Sequence, residues 1–366
     1  MKKTPKKQTK TVKLYSRILN SKIFIISSIV ISSIVLTAMI LIVSFLVRHG
    51  DEPTQLGVSF SKTYAEELGI NWQTAYEGVL KDLGFKKLRL MSYWDEHEKE
   101  RDIYDFSSLD WQMDLAAQYG AKVSLAVGHR QPRWPECHTP NWAKQLESKQ
   151  QNAKLLEYLE TVSLRYRYHP ALESYQLENE IFNRMFGECP DFDRDLLNQE
   201  YDLVKKIDPQ HPVIINVSNQ SGTPIRQPVG DEVGFSMYKK AYGEIFGVGY
   251  SWSFRYVPSA WHTLRASIIE LMHNNPTFVH ELQTEPWGPV ATKYMSIEEQ
   301  NKSMDPEQLK NNIKFAENTG MSRIYIWGAE WWYWRLHNFN DPSLWNTVQE
   351  EVAKRPYPGQ ALEASN

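Results

Sequence analysis

The chain has 366 residues, with 42% apolar and 13% aromatic side chains. That composition excludes a disordered chain and suits one large domain or two small ones, since single barrels often run to ~250 residues. The formal net charge of -3 hides an asymmetry: residues 1–50 hold nine Lys or Arg and no Asp or Glu, which leaves 32 basic against 44 acidic residues in the remainder. A body that acidic lacks the basic footprint of a nucleic-acid binder.

The first element explains the split. A basic stretch, residues 1–22, contains Lys2, Lys3, Lys6, Lys7, Lys10, Lys13, Arg17 and Lys22, and an uncharged run follows from Ile23 to Val47. At 1.5 Å per residue such a run can cross a ~30 Å hydrocarbon core with some tilt, and its serines and Thr37 can bond back to their own helix. The basic flank is expected to stay cytoplasmic, which puts everything beyond Arg48 outside the cell membrane. A cleaved signal peptide would have an apolar region of ~7–15 residues and a small-x-small cleavage site; the run is longer, and no such site stands out. A single-pass signal-anchor is therefore expected, joined by a polar linker at 48–54 to a domain over 55–355, with a loose tail at 356–366.

Beyond the linker, strand and helix patterns alternate. "QLGVSFS" (55–61) reads as a strand, "NWQTAYEGVLKDLG" (71–84) as a helix closed by glycine, and "KKLRLMSY" (86–93) as a strand. "DFSSLDWQMDLAAQYG" (105–120) reads as a helix with a serine cap, and "KVSLAVG" (122–128) as the third strand. A helix over 150–167, a strand over 172–178 and a helix over 192–206 follow. "PVIINVS" (212–218) and "EVGFSMY" (232–238) are strands separated by about 14 residues, too few for a full helix, so an irregular crossover is expected there. "KKAYGEIFGVGYSWSFRY" (239–256) fits no pattern. Helices at 260–274, 306–320 and 341–354 interleave with strands "TFVHE" (277–281) and "SRIYIWG" (322–328). Eight βα units in about 300 residues predict parallel strands with right-handed crossovers, closed as a (β/α)8 barrel. No 20–50 residue repeat is present, which excludes a solenoid.

In such a barrel the chemistry lies at the C-terminal strand ends. Arg89 lies near the end of the second strand, His129 ends the third, Asn179-Glu180 the fourth, Tyr238 the sixth, His280-Glu281 the seventh and Trp327 the eighth. Two carboxylates thus face each other across one mouth. A pair of this kind can cleave a glycosidic bond, one protonated to serve the leaving oxygen and one ionised to attack the anomeric carbon. Their proton affinities must be pushed apart, which takes a cation beside one of them, and Arg89 is placed for that. Trp134, Trp142, Trp252, Trp261, Trp327, Trp331 and Trp332 offer flat faces for sugar rings.

The pieces "LRL", "YDFSSLD", "LENE", "VHE" and "YIWG", in this order and with Glu180 and Glu281 separated by 101 positions, resemble the clan A retaining glycoside hydrolases, the (β/α)8 cellulases, β-mannanases and β-galactosidases. The resemblance spans most of 55–345. It implies Glu180 as general acid/base, Glu281 as nucleophile and Asn179 as donor to the sugar 2-hydroxyl. It further implies Arg89 and Tyr238 as the groups that orient Glu281 and keep it charged, Trp327 as the floor of the reacting-sugar subsite, and His129 as a substrate-binding histidine. Glu281 is preferred to Glu285 as nucleophile because it directly ends the apolar strand. Asn179 and Glu180 are sequence neighbours and should face opposite ways on a strand; for both to reach one sugar the strand must end or bulge there.

Plainer readings compete. A single strand-end glutamate is more often a surface ion pair, Arg89 can be an ordinary barrel cation, and Trp111 and Trp345 fit core packing. His280, Gln283 and Glu178 either support the site or line the barrel. Cys137 and Cys189 can pair outside the membrane or stay as free thiols. No HxxxH, HxH or CxxC spacing, GxSxG or P-loop is found, so no metal or other cofactor is expected. The expected partners are an oligo- or polysaccharide substrate and the membrane, with no obligate protein partner. Two alternatives stand beside hydrolysis: a transglycosylase remodelling surface polysaccharide, and a non-catalytic carbohydrate-binding protein on a barrel scaffold.

Overall fold

The computed structural model describes residues 6–183, 186–189, 193–219, 230–245, 248–250 and 256–357, with backbone alone for 6–21, 244–245 and 248–250. Short apolar runs, buried on both faces as parallel strands are, form β1 (Gln55–Ser59), β2 (Lys87–Met91), β3 (Lys122–Val127), β4 (Leu172–Leu177), β5 (Val213–Val217) and β6 (Glu232–Met237). The segment without a recognisable pattern contributes a small antiparallel hairpin, β7 (Tyr242–Ile245) with β8 (Val248–Tyr250). The last barrel strands are β9 (Thr277–Gln283) and β10 (Arg323–Trp327). The strands close in the order β1-β2-β3-β4-β5-β6-β9-β10, and every barrel pair is parallel. The (β/α)8 barrel expected from the alternation is thus present.

The barrel interior is layered. At the N-terminal end Lys87 pairs with Glu173 and Arg323 with Glu232, and the Arg323 guanidinium lies 3.6 Å over the Phe278 ring. Next to them the Tyr325 ring fills the space that Gly57 leaves open, where a Cβ would sit 2.6 Å from Tyr325 Cδ1. Above lie Ser124 and His280, joined at 3.1 Å, and then the polar residues of the mouth.

Helix ends follow local chemistry. Asn71 Oδ1 accepts from Thr74 N at 3.0 Å at the start of Trp72–Lys81, and Asp305 Oδ1 from Gln308 N at 2.7 Å at the start of Pro306–Glu317. The expected serine cap at 105–120 is not made. The helix runs Ser107–Gln118 with Phe106 at the N-cap position, and Asp105 accepts from Ser107 N instead. Among the described residues four α-helices lacked a sequence signal: Lys62–Glu67, Trp94–His97, Ile297–Ser303 and Ala329–Asn338. The last changes the status of two tryptophans. Trp331 and Trp332 are fully buried helix residues, donating to Gln300 Oε1 and the Thr284 carbonyl at 2.8 Å each, not loop platforms. Trp345 packs in the core, and Trp111 lies edge-on to Trp72 at 5.1 Å.

One N-terminal helix covers Lys6–His49, and its Lys22–His49 part is long and apolar enough to cross a membrane, with mean hydropathy 2.8 and 6% burial in its most apolar window. Its last two turns rest on the helix Ser259–His273. Phe45 is buried, Ser267 Oγ donates to the Leu41 carbonyl at 3.0 Å, and His49 Nε2 meets Glu270 Oε2 at 3.0 Å. The polar linker therefore starts helical and docked. The basic residues 1–5, most of the β5–β6 crossover (220–229), Trp252 and the tail from 358 lie outside the described residues.

Candidate active site

The conflict between Asn179 and Glu180 is resolved by the end of β4. The strand stops at Leu177, and Glu178 and Glu180 take positive φ, 55° and 42°. That left-handed conformation is costly for a residue with a Cβ, about 1–2 kcal/mol, and persists where surroundings over-determine it. Here they do. Glu178 Oε1 and Oε2 accept from the backbone N–H groups of His129 and Arg130 at 2.6 and 2.7 Å, and Asn179 N–H donates to the Arg130 carbonyl at 2.6 Å. Gly128 makes room, since any side chain there would run into the Glu178 carboxylate. Asn179 then turns inward. Its Oδ1 accepts from Arg89 Nη2 (2.9 Å), Gln176 Nε2 and Asn216 Nδ2 (both 3.2 Å). Glu180 accepts from Asn183 Nδ2 at 2.8 Å and from the Ser236 hydroxyl.

Glu281 reaches the mouth through a register shift. Phe235 pairs with Val279 but the next residue, Ser236, pairs with Glu281, so β9 bulges at His280. The bulge lets His280 stay below, against Ser124, while Glu281 points into the mouth above it. Arg89 Nη1 donates to Glu281 Oε2 and Tyr238 Oη to Oε1, each at 2.6 Å. Arg89 is fully buried; its Nε donates to Gln176 Oε1 at 2.6 Å, so one guanidinium ties β2, β4 and β9 together. Arg89, Asn179, Tyr238 and Glu281 therefore form one hydrogen-bonded cluster, which Glu180 joins through Ser236 and Asn216.

Its electrostatics favour a proton on Glu180. Burial, and next the charge of Glu281, raise the proton affinity of Glu180 above that of an ordinary carboxylate. Burial, reinforced by Glu281, holds the Tyr238 phenol well above its usual range, so it remains a donor. Among the described residues no three His, Cys, Asp or Glu side chains converge as a metal site.

The long loop after β3 supplies what sequence reasoning missed. Glu136, buried at positive φ, accepts from Asn179 Nδ2 at 2.9 Å and lies 3.4 Å from Arg130 Nε. Burial above all, with Glu180 and Glu281 adding to it against Arg130, pushes its carboxyl up to about 8. Arg133 crosses to the far rim. It bonds Glu285 Oε1 at 2.5 Å and Glu330 Oε2 at 3.1 Å, and its guanidinium is sandwiched 3.6 Å from the Tyr64 ring and 4.0 Å from Trp327. Trp327 Nε1 also donates to Glu285 Oε1 at 2.8 Å. One face of Trp327 is thus taken by Arg133, while the Arg89 guanidinium lies 5.9 Å from the ring centroid and the residue is buried. Cys137 and Cys189 are disulfide-bonded, joining this loop to the one after β4.

His129 is not brought to the cluster. It is buried, bonded through Nε2 to Thr139, edge-on to Trp94 at 6.3 Å, and it lines a cleft of about 340 Å³ with Asn152, Glu178, Glu200 and Asn183, the last of which donates to Glu180. Burial, and next His138, lower its proton affinity to about 4. Of the expected ring platforms, Trp134 is 61% exposed and begins an aromatic row: Trp134–Phe186 at 5.8 Å, Phe186–Trp287 at 5.6 Å and Trp287–Tyr238 at 5.5 Å. Trp142 instead packs edge-on to Trp94 at 5.8 Å, and Trp261 lies half-exposed on the helix Ser259–His273. The "RWPEC" stretch carries two charges and a cysteine between prolines and aromatics, the one hint that its loop is built into the site.

No family model matches the sequence, and no curated protein matches it. Solved structures do. A polyextremophilic β-galactosidase from the Antarctic haloarchaeon Halorubrum lacusprofundi superposes with TM-score 0.51 at 14% identity, covering 74% of this chain and 52% of that one. The GH5_18 protein of Streptomyces cattleya, solved in complex with GlcNAc, gives 0.53 at 14%, covering 75% and 70%. Xylanase 10B from Thermotoga maritima gives 0.53 at 14%, covering 83% and 97%. The chain spans about half the length of the β-galactosidase and nearly all of the xylanase. The likeness is one of fold, the (β/α)8 barrel of these glycosidases.

Proposed function

We propose that the protein is a membrane-anchored, extracytoplasmic retaining glycoside hydrolase acting on β-linked saccharides. The observation that carries this is the setting of Glu281, gripped by Arg89 and Tyr238 at 2.6 Å each, beside Glu180, whose proton affinity is raised by burial and next by the Glu281 charge. One carboxyl is thereby suited to attack and the other to give a proton. The β-galactosidase and xylanase of the same fold add to the case for sugar chemistry. The helix Lys22–His49, with its basic flank, is the anchor in this reading.

Catalysis proceeds in two displacements. Glu180 donates its proton to the glycosidic oxygen as the Glu281 carboxylate attacks the anomeric carbon, so the C–O bond to the leaving group breaks and an ester to Glu281 forms. Glu180, now a carboxylate, takes a proton from water; that water attacks the same carbon, and the ester bond breaks to restore Glu281. Asn179, its oxygen fixed by three donors and one N–H given to Glu136, offers its second N–H to the 2-hydroxyl.

The experiment uses the full-length chain in detergent with 4-nitrophenyl β-glycosides of several sugars. Glu180→Gln and Glu281→Gln should each abolish turnover, and NMR should show the product first as the β-anomer. Full activity in either variant removes that residue from the mechanism; a first-formed α-anomer refutes retention. In a crystal structure the two carboxyl groups should lie ~5–5.5 Å apart, whereas ~9 Å would indicate inversion.

A further inference from the structure

We infer that the non-reducing end of the sugar site is closed, so that the enzyme removes single sugars from chain ends instead of cutting within a chain. This rests on the function proposed above and adds to it the mode of attack. The first part of the argument is topological. In the closed strand order β1-β2-β3-β4-β5-β6-β9-β10, β4 and β10 lie opposite each other across the mouth. Glu180 follows β4, and an acid must sit beside the oxygen it protonates. The leaving group therefore departs over the β4 side. The sugar that forms the ester must extend the other way, toward β10 and Trp327.

The two sides are built differently. On the β4 side, Trp134 and Phe186 present an aromatic row with Trp134 mostly exposed. On the β10 side stands a wall. Arg133 bridges Glu285 and Glu330, with Tyr64 and Trp327 on its two faces. The wall is anchored to the rim, since Ser61 N–H donates to Glu330 Oε1 and Tyr93 Oη to the Pro132 carbonyl at 2.8 Å. Burial opposes the charge on Arg133, but Glu285 and Glu330 outweigh it and raise its proton affinity. Displacing it would strand two carboxylates, Glu330 being fully buried, so a second sugar cannot push through cheaply.

The wall also carries unspent hydrogen-bonding capacity. Arg133 Nε and Glu285 Oε2 are buried with no hydrogen-bond partner among the described residues. Buried polar groups without partners are costly. A donor and an acceptor beside Trp327 match the hydroxyls of a terminal sugar, which is the part of a saccharide that an internal residue lacks once its O4 or O3 carries the next ring.

The test begins with 4-nitrophenyl β-glycosides of glucose, galactose, mannose, xylose and N-acetylglucosamine and the full-length chain in detergent. Whichever sugar is accepted is then supplied as a β-1,4-linked hexasaccharide labelled at its reducing end. The earliest labelled product should be the pentasaccharide, with monosaccharide as the only released sugar. A labelled di- or trisaccharide appearing first overturns the closed end and leaves the proposed chemistry standing. Lengthening the aryl substrate by one sugar at its non-reducing end should lower the initial rate of nitrophenol release about 100-fold or more in the unaltered enzyme, with a lag until the terminal sugar has been removed; an equal initial rate without a lag likewise overturns the inference. Arg133→Gly should raise disaccharide release relative to monosaccharide about tenfold, and an unchanged ratio in the folded variant removes Arg133 from the wall. Failure to hydrolyse any of these glycosides, or full activity of Glu281→Gln, refutes the proposed function and this inference with it.

Discussion

Replacing Tyr238 by Phe isolates one interaction of the proposed nucleophile. The phenol donates to Glu281 Oε1 at 2.6 Å, while its ring stands edge-on to Trp287 at 5.5 Å. Phenylalanine keeps the ring contact and loses only the donor. A hydrogen bond to a charged group contributes about 1.5–3 kcal/mol, and each 1.36 kcal/mol of barrier is a factor of ten in rate. In the proposed reaction the bond orients the attacking carboxylate, so its loss should lower kcat/KM by roughly 10–100-fold. The Arg89 contact to Oε2 persists, so activity should survive. The assay is kcat/KM for 4-nitrophenyl β-glycoside hydrolysis by the full-length chain, with circular dichroism to check the fold. An unchanged kcat/KM in the folded variant would refute the claim that Tyr238 orients Glu281 for attack.

Three further outcomes are expected. Glu136 carries a proton in the folded chain up to about pH 8 but gives it up near 4.5 when unfolded, so its contribution to stability is full below about 4.5 and is lost as the pH rises through about 8. Glu136→Gln should therefore show a shallower fall of unfolding free energy across that window, by about 1.4 kcal/mol per pH unit, and parallel curves for the two proteins would disprove the protonated state. Cys137→Ser opens a bond that spans 52 residues and should cost about 4 kcal/mol in chemical unfolding on chain-entropy grounds; a loss under 1 kcal/mol would show that the loop after β3 is held by its hydrogen bonds alone. Trp331→Ala, at a fully buried position, should cost about 3–5 kcal/mol, while Trp134→Ala, mostly exposed, should stay within about 0.5 kcal/mol and instead raise KM for substrates with long leaving groups. Equal stability losses for the two tryptophans would contradict the assignment of one to packing and one to the site.

The barrel was legible because its determinants are local and repeated. "PVIINVS" and "SRIYIWG" are short apolar runs whose both faces must be buried, and helices with polar faces separate them. The cluster of Arg89, Asn179, Glu180, Tyr238 and Glu281 was legible because each lies within, or just beyond, the C-terminal part of a barrel strand, and strand ends converge whatever the loops do. The helix Ala329–Asn338 was missed because four aromatics in a short stretch read as a loop platform, and only its packing under Thr284 and Gln300 shows them to be core. His129 was drawn to the site by its place at a strand end, but its ring turns to Thr139 and Trp94 because the Glu178 carboxylate fixes its backbone.

What stayed hidden is the loop after β3, and the reason is that its partners are remote in sequence. Arg133 meets Glu285 and Glu330, which lie 152 and 197 residues away. Glu136 meets Asn179 across 43 residues. No periodicity marks such pairings, because each depends on where the barrel brings another strand end. The same dependence explains why the loop matters. A charge that must be buried at the mouth is tolerable only if the opposite rim supplies its counter-charge, so Arg133 commits the loop to cross the β10 side and to close it. The strand ends thus fix the position of the two carboxyl groups proposed to act on the bond, while the loop decides how much of a saccharide can lie beyond them. Residues of the first kind can be read from a single sequence, and residues of the second only once the barrel has closed.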